Sequence, residues 1–172
     1  MNQPTTDESI VASVHAAQEA WGQGIVTIGA ATTWEESHAL ATAFVKRHYQ
    51  LEGGNLLFGP TKAAVQQFRA TLKDAVSYFV GRDADHAEDQ GFALQPWRSV
   101  RFENTGIVPK GDVILTMGNY FFQTLEGDEV KVEYSFVYEV PELPHADLRI
   151  LLHHSALPYA GLAKTEGDAK VP

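Results

Sequence analysis

Two adjacent histidines, His153 and His154, close an apolar run near the C-terminal end of a 172-residue chain. Histidine has the ordinary pKa nearest neutrality, so an inward-facing one could act as a general acid or base. Neighbouring residues on an extended strand point to opposite faces, so the two cannot chelate one ion together. The plain reading is one satisfied histidine in a core or interface and one exposed. Arg101 and Glu103 alternate on one strand face and read as an exposed charge pair, with a place in a pocket as the alternative. Tyr120, Tyr134 and Tyr138 carry phenols that could donate to a developing oxyanion, although such aromatics, like Trp97, more often fill cores.

Other patterns each break at a decisive residue. The segment Gly54-Asn55-Leu56-Leu57-Phe58-Gly59-Pro60-Thr61 approaches a phosphate-binding loop, but Pro60 stands where the lysine belongs and has no N–H to offer phosphate. Asp83-Ala84-Asp85 begins like a calcium loop. Glu88 then replaces the turn glycine, and Leu94 the bidentate glutamate. His86-Ala87-Glu88 resembles the start of a zinc deaminase site, which needs downstream cysteines, and the chain has none. No serine sits in a Gly-x-Ser-x-Gly elbow. Seven histidines without cysteine show no ligand spacing on one face, so neither metal nor cofactor is expected.

The formal net charge of −9, with thirteen scattered basic residues, argues against nucleic acid and anionic membrane as partners. No stretch approaches the roughly 18 apolar residues of a membrane helix. Met1 to Ser9 lacks the basic and apolar regions of a signal peptide, so a cytoplasmic location is expected. A chain already relieved of such a peptide would read the same.

These candidates need elements to position them. Ile10, Val14, Ala17 and Trp21 recur at helical spacing between Thr6 and about Thr27, and Gly22 and Gly24 predict a bend or stop near the far end. Thr33 followed by Glu36 has the form of a capping box and opens a helix to about His48. A turn over Glu52-Gly53-Gly54-Asn55 leads into a short buried strand, Leu56-Leu57-Phe58, stopped by Gly59-Pro60. A third helix is predicted from about Lys62 to Val80. An acidic loop, Arg82 to Gly91, precedes four strand-like segments: Trp97–Val108, Asp112–Leu125, Glu129–Val140 and Asp147–Leu157. Pro109-Lys110-Gly111, Glu126-Gly127-Asp128 and Pro141-Glu142-Leu143-Pro144 connect them. Helices followed by antiparallel strands make an α+β domain, expected over residues 1–162, with a polar tail at 163–172. Alternation puts Val132, Tyr134, Phe136 and Tyr138 on one strand face, and Leu152 with His154 on one face of the last.

This order resembles the nuclear transport factor 2-like (SnoaL-like, cystatin-like) fold, in which N-terminal helices pack on a curved antiparallel sheet to form a cone. The segment Leu148-Arg149-Ile150-Leu151-Leu152-His153-His154-Ser155-Ala156-Leu157-Pro158-Tyr159 is similar to the final strand of the association domain of calcium/calmodulin-dependent protein kinase II, most of all in its stand-alone bacterial relatives. Gly91-Phe92-Ala93-Leu94-Gln95-Pro96-Trp97, Met117-Gly118-Asn119-Tyr120-Phe121-Phe122 and Lys131-Val132-Glu133-Tyr134-Ser135-Phe136 are similar to segments of those relatives. The resemblance implies a conical pocket between sheet and helices, and assembly through the outer sheet face. In the association domain that the chain resembles, pocket arginines bind small carboxylates. His154 stands at the match of one of them and Phe136 near the match of another, which weakens any transfer of carboxylate binding. The pocket candidates are accordingly Trp97, Asn119, Tyr134, Phe136, Tyr138 and His154, with catalytic residues unassigned. The function expected is a homodimer or larger homo-oligomer that binds an unknown, partly apolar small molecule without an established reaction. The alternative is an isomerase or cyclase with His154 or Glu103 as base and Tyr120, Tyr134 or Tyr138 as oxyanion donor.

Overall fold

A computed structural model describes residues 6–52, 56–140 and 147–160. The turn at 53–55, the connection at 141–144, the expected boundary at 162 and the tail at 163–172 lie outside the described residues. Helix α1 spans Thr6–Gly29 and buries Val14, Gln18, Trp21, Ile25 and Ile28, one stripe at helical spacing. It continues without a break past Gly22 and Gly24, where a bend or stop was expected. A Cβ on Gly24 would stand 2.4 Å from the Phe44 ring, so this glycine admits the second helix closely, and tertiary packing outweighs its low helix propensity.

Helix α2, Trp34–His48, starts at Thr33, whose hydroxyl accepts the Glu36 N–H at 3.2 Å. The Glu36 carboxylate reaches one residue past the cap and accepts the Thr32 N–H at 2.9 Å. Strand β1 is Leu57–Gly59, and α3 is only Leu72–Val80, held at its start by a capping box between Thr71 and Asp74. The third helix expected from Lys62 is therefore corrected. Residues 60–71 form a non-helical loop because other groups take their backbone hydrogens. Glu88 accepts the N–H groups of Ala64, Val65 and Gln66 at 2.8, 3.0 and 2.9 Å. Arg69 N–H donates to Phe58 C=O at 2.8 Å, and Leu56 N–H to Ala70 C=O at 2.9 Å.

Strands β2 (Trp97–Lys110), β3 (Val113–Thr124), β4 (Glu129–Glu139) and β5 (Arg149–Ala156) form an antiparallel run. They join β1 in a five-stranded sheet of order β1-β5-β4-β3-β2, with β1 parallel to β5. The helices cover one face. Trp21 sits at the centre of that core, with ring centroids of Phe44, Phe102, Tyr120, Phe122, Phe136 and His153 5.7 to 6.3 Å away. Truncating a tryptophan so placed costs about 3–5 kcal/mol.

One irregularity sets which residues of β5 face inward. Tyr138 pairs with Ile150 and Val137 with Leu152, so Leu151 is an extra residue in β5. Such a bulge reverses the alternation beyond it. Ile150, His153 and Ser155 are buried, while His154 is exposed. No helix among the described residues is long and apolar enough to cross a membrane.

Candidate active site

The interior between helices and sheet is mainly aromatic, and polar groups within it gather around His153. The imidazole is 2% exposed. It stacks on Phe58 at 4.6 Å and 28°, and meets Phe136 edge-on at 4.3 Å. These neighbours follow from register, because Phe58 on β1 and Phe136 on β4 pair with His153 from either side. The Tyr49 hydroxyl lies 2.9 Å from His153 Nδ1 and accepts Trp21 Nε1–H at 3.1 Å. On the other side the Tyr120 hydroxyl lies 3.3 Å from Nε2. Beyond Tyr120 stand the hydroxyls of Ser155 and Thr61, which hydrogen-bond each other at 2.9 Å and both face the Tyr120 phenol. The backbone N–H of Lys62 faces the hydroxyl of Tyr78.

Burial decides the ionisation of this cluster. It pushes His153 well below the ordinary histidine value, with His154 adding in the same direction, so the imidazole is neutral. Burial also raises the phenols of Tyr49, Tyr120 and Tyr78, so none is a phenolate near neutral pH. The site is a set of neutral hydroxyl and imidazole dipoles, suited to holding a small oxygen-rich molecule through directed hydrogen bonds.

Thr61 is half-buried and forms the solvent side of the cluster. Lys62 and Tyr78 also line an adjoining cleft of about 300 Å³ with Glu88, Asp89 and Phe92. The loop carrying Thr61 is tied down by Glu88 and by Arg69, which is fully buried and pairs with Asp89 at 2.6 Å. Ser77 Oγ donates to the same carboxylate at 2.6 Å.

Of the residues expected in the pocket, Tyr134, Phe136 and Tyr138 face inward with Trp97, all buried. Tyr134 is held in a network with Gln18 and Asn104, where Gln18 Nε2 donates to Asn104 Oδ1 at 2.9 Å and to the Tyr134 hydroxyl at 3.1 Å. Trp97 Nε1 donates to Phe92 C=O at 3.0 Å and packs on Phe92 and Phe122 as part of the core wall. His154 and Asn119 are not with them. Both line a groove of about 290 Å³ on the outer sheet face, so the expectation that His154 reaches the inner cavity is corrected, with the Leu151 bulge as the cause. Glu103 pairs with Arg101 on the exposed surface and is not placed to act as a base inside. Tyr49, Thr61, Tyr78 and Ser155 were not among the residues expected at the site. His153 and Ser155, two apart on one strand, were bound to share a face, which was the one available signal.

The family model described as metal-independent carbonic anhydrase matches residues 12–157. The metal-independent carbonic anhydrase of Nostoc sp. is 37% identical over 163 residues, covering 91% of this chain and 78% of that protein. The crystal structure of the iota-carbonic anhydrase from a cyanobacterium, complexed with bicarbonate, superposes with a TM-score of 0.81 at 38% identity, over 86% of this chain and 92% of that one. A Xanthomonas campestris protein described as a calcium/calmodulin dependent protein kinase II association domain has a TM-score of 0.53 at 20% identity, over 86% and 85% of the two chains, and shares the fold alone. The fold is thus the nuclear transport factor 2-like one, while the placement nearest the kinase association domains is corrected. The expectations of a binding protein without a defined reaction, and of an isomerase or cyclase, are overturned by the same matches. The chain belongs to the metal-independent carbonic anhydrase family.

Proposed function

We propose that this protein hydrates carbon dioxide reversibly to bicarbonate in the cluster of Thr61, Ser155, Tyr120, Tyr78 and His153. Membership of the carbonic anhydrase family carries the reading, and the buried hydroxyls supply a place for it. In the reaction a water oxygen bonds to the carbon of CO₂, one C=O electron pair moves onto oxygen, and the water gives up a proton. Charge develops on the carboxylate oxygens, and hydroxyl donors fixed within a buried cluster stabilise it because they need no reorganisation as it forms. The apolar rings around His153 suit CO₂ itself, which has no net dipole. Lys62 lends the cluster its backbone N–H, which faces the Tyr78 hydroxyl, while its ammonium lies over the Phe92 ring at 5.8 Å in the adjoining cleft. The half-buried Thr61 marks the side by which the proton reaches solvent or buffer.

Stopped-flow CO₂ hydration with a pH indicator tests the reading. The wild-type protein should accelerate hydration, and prior treatment with a strong chelator should leave the rate unchanged. Ser155→Ala, which removes one hydroxyl with little change in volume, should lower kcat on the order of 100-fold, as for loss of a single oxyanion donor. Hydration no faster than in buffer alone would sink the proposal.

The same reading includes self-association through the outer sheet face. Leu115 and Met117 are 43% and 57% exposed there, beside Val113 and Phe121, and an apolar sheet face of this kind favours a closed two-fold pair.

A further inference from the structure

The hydrogen bonds behind His153 have a fixed direction. Indole Nε1–H of Trp21 can only donate, and it donates to the Tyr49 oxygen. That leaves the Tyr49 hydroxyl hydrogen needing an acceptor in a residue that is fully buried. Among the described residues its one remaining partner is His153 Nδ1, at 2.9 Å. If Nδ1 carried the proton, the Tyr49 oxygen would accept twice and its own O–H would be buried without a partner, which costs about 1–3 kcal/mol. The satisfied arrangement is Tyr49 O–H donating to a bare Nδ1. A neutral imidazole then carries its proton on Nε2, which donates to the Tyr120 oxygen. The Tyr120 hydrogen, displaced from that side, is turned toward Thr61 and Ser155.

We infer that Trp21 and Tyr49 are positioning residues that lock His153 in the Nε2–H tautomer, and so make Tyr120 a hydrogen-bond donor to the oxygens of the bound substrate. The inference rests on the carbonic anhydrase reading only for what is bound, since the tautomer follows from the hydrogen bonds alone. It gives His153 a role other than general base. Its Nδ1 lone pair is occupied by Tyr49, its Nε2 holds a proton, and an inward relay would end at an indole that cannot accept one. The proton released in hydration therefore leaves outward, past Thr61.

Long-range ¹H–¹⁵N correlation on histidine-labelled, full-length protein reads the tautomer directly, with His153→Gln assigning the signal. At neutral pH the wild-type protein should show His153 protonated at Nε2 and bare at Nδ1. Tyr49→Phe keeps the ring and removes the donor to Nδ1. It should mix the two tautomers and lower kcat roughly 100-fold, with a much smaller change in KM. A wild-type spectrum with the proton on Nδ1 overturns the inference, as does Tyr49→Phe with an unaltered His153 signal. Should Tyr49→Phe fail to fold, the wild-type spectrum decides by itself. An Nε2–H tautomer in a protein that does not hydrate CO₂ would sink the proposed activity and leave the tautomer lock standing.

Discussion

His153 and His48 are both buried where protonation is unfavourable, and this couples folding to pH. His48, 7% exposed at the end of α2, packs on Phe44 at 4.7 Å. Burial, with Arg47 beside it, pulls it down to about 4, and burial pulls His153 well below its ordinary value. Below the unfolded value of 6.5 the unfolded chain takes up protons that the folded chain refuses. Stability is therefore full above about pH 6.5 and lost as the pH falls toward 4, by a few kcal/mol for a pair of such groups. Glu88 acts in a lower window, because three backbone N–H groups hold its carboxyl down to about 2. Its contribution is present above 4.5 and fades as the pH falls toward 2. Thermal melts between pH 8 and 3 should fall through the upper window, and His48→Asn should make that slope shallower. A melting temperature flat from pH 7 to 4.5 would contradict the assignment.

At the scale of elements, the loop at 60–71 links a structural ion pair to the site. Arg69 and Asp89 have side chains 0% and 1% exposed, and Glu88 holds the loop's backbone from outside. Removing one partner of a buried pair strands the other charge, at a cost of about 3–5 kcal/mol. Arg69→Met should lower stability by that order. Glu88→Ala should be milder on stability and should free the backbone on which Thr61 is mounted. Amide exchange at Ala64, Val65 and Gln66 should accelerate, and CO₂ hydration should drop several-fold. Unchanged exchange at those three amides would show that Glu88 does not fix the loop.

At the scale of the molecule, helices cover one side only of the sheet among the described residues. Its other face presents Leu115 and Met117 with Val108, which is 55% exposed, alongside the charged pair of Arg101 and Glu103. A two-fold pairing would bury the apolar part and leave the charges at its rim. Light scattering at micromolar concentration should return a dimer or larger assembly, and Met117→Lys should shift it toward monomer. A monomer mass for the wild-type chain would remove the sheet face as an interface. The inner site lies on the opposite side of the sheet, so CO₂ hydration should survive the substitution.

Most of the fold was legible because it rests on local pattern. Four strands with period-two alternation fixed the antiparallel run within a few residues, and helical spacing around Trp21 and Phe44 placed α1 and α2. The aromatic face of Val132, Tyr134, Phe136 and Tyr138 points inward as its alternation requires. The loop at 60–71 was not legible, because residues with helical spacing are held open by Glu88, about twenty residues further along the chain, and by the bonding of Arg69 to Phe58 at the sheet edge and to Asp89. The candidate site was legible only in fragments. Its polar groups come from α1, the end of α2, the loop after β1, α3, β3 and β5, and no spacing in the chain relates them. Above all, a single extra residue at Leu151 turned His153 inward and His154 out. A bulge is a property of pairing between two strands, so the sequence of one strand determines that its two histidines face apart. Only the register of β5 against β4 decides which of them belongs to the site.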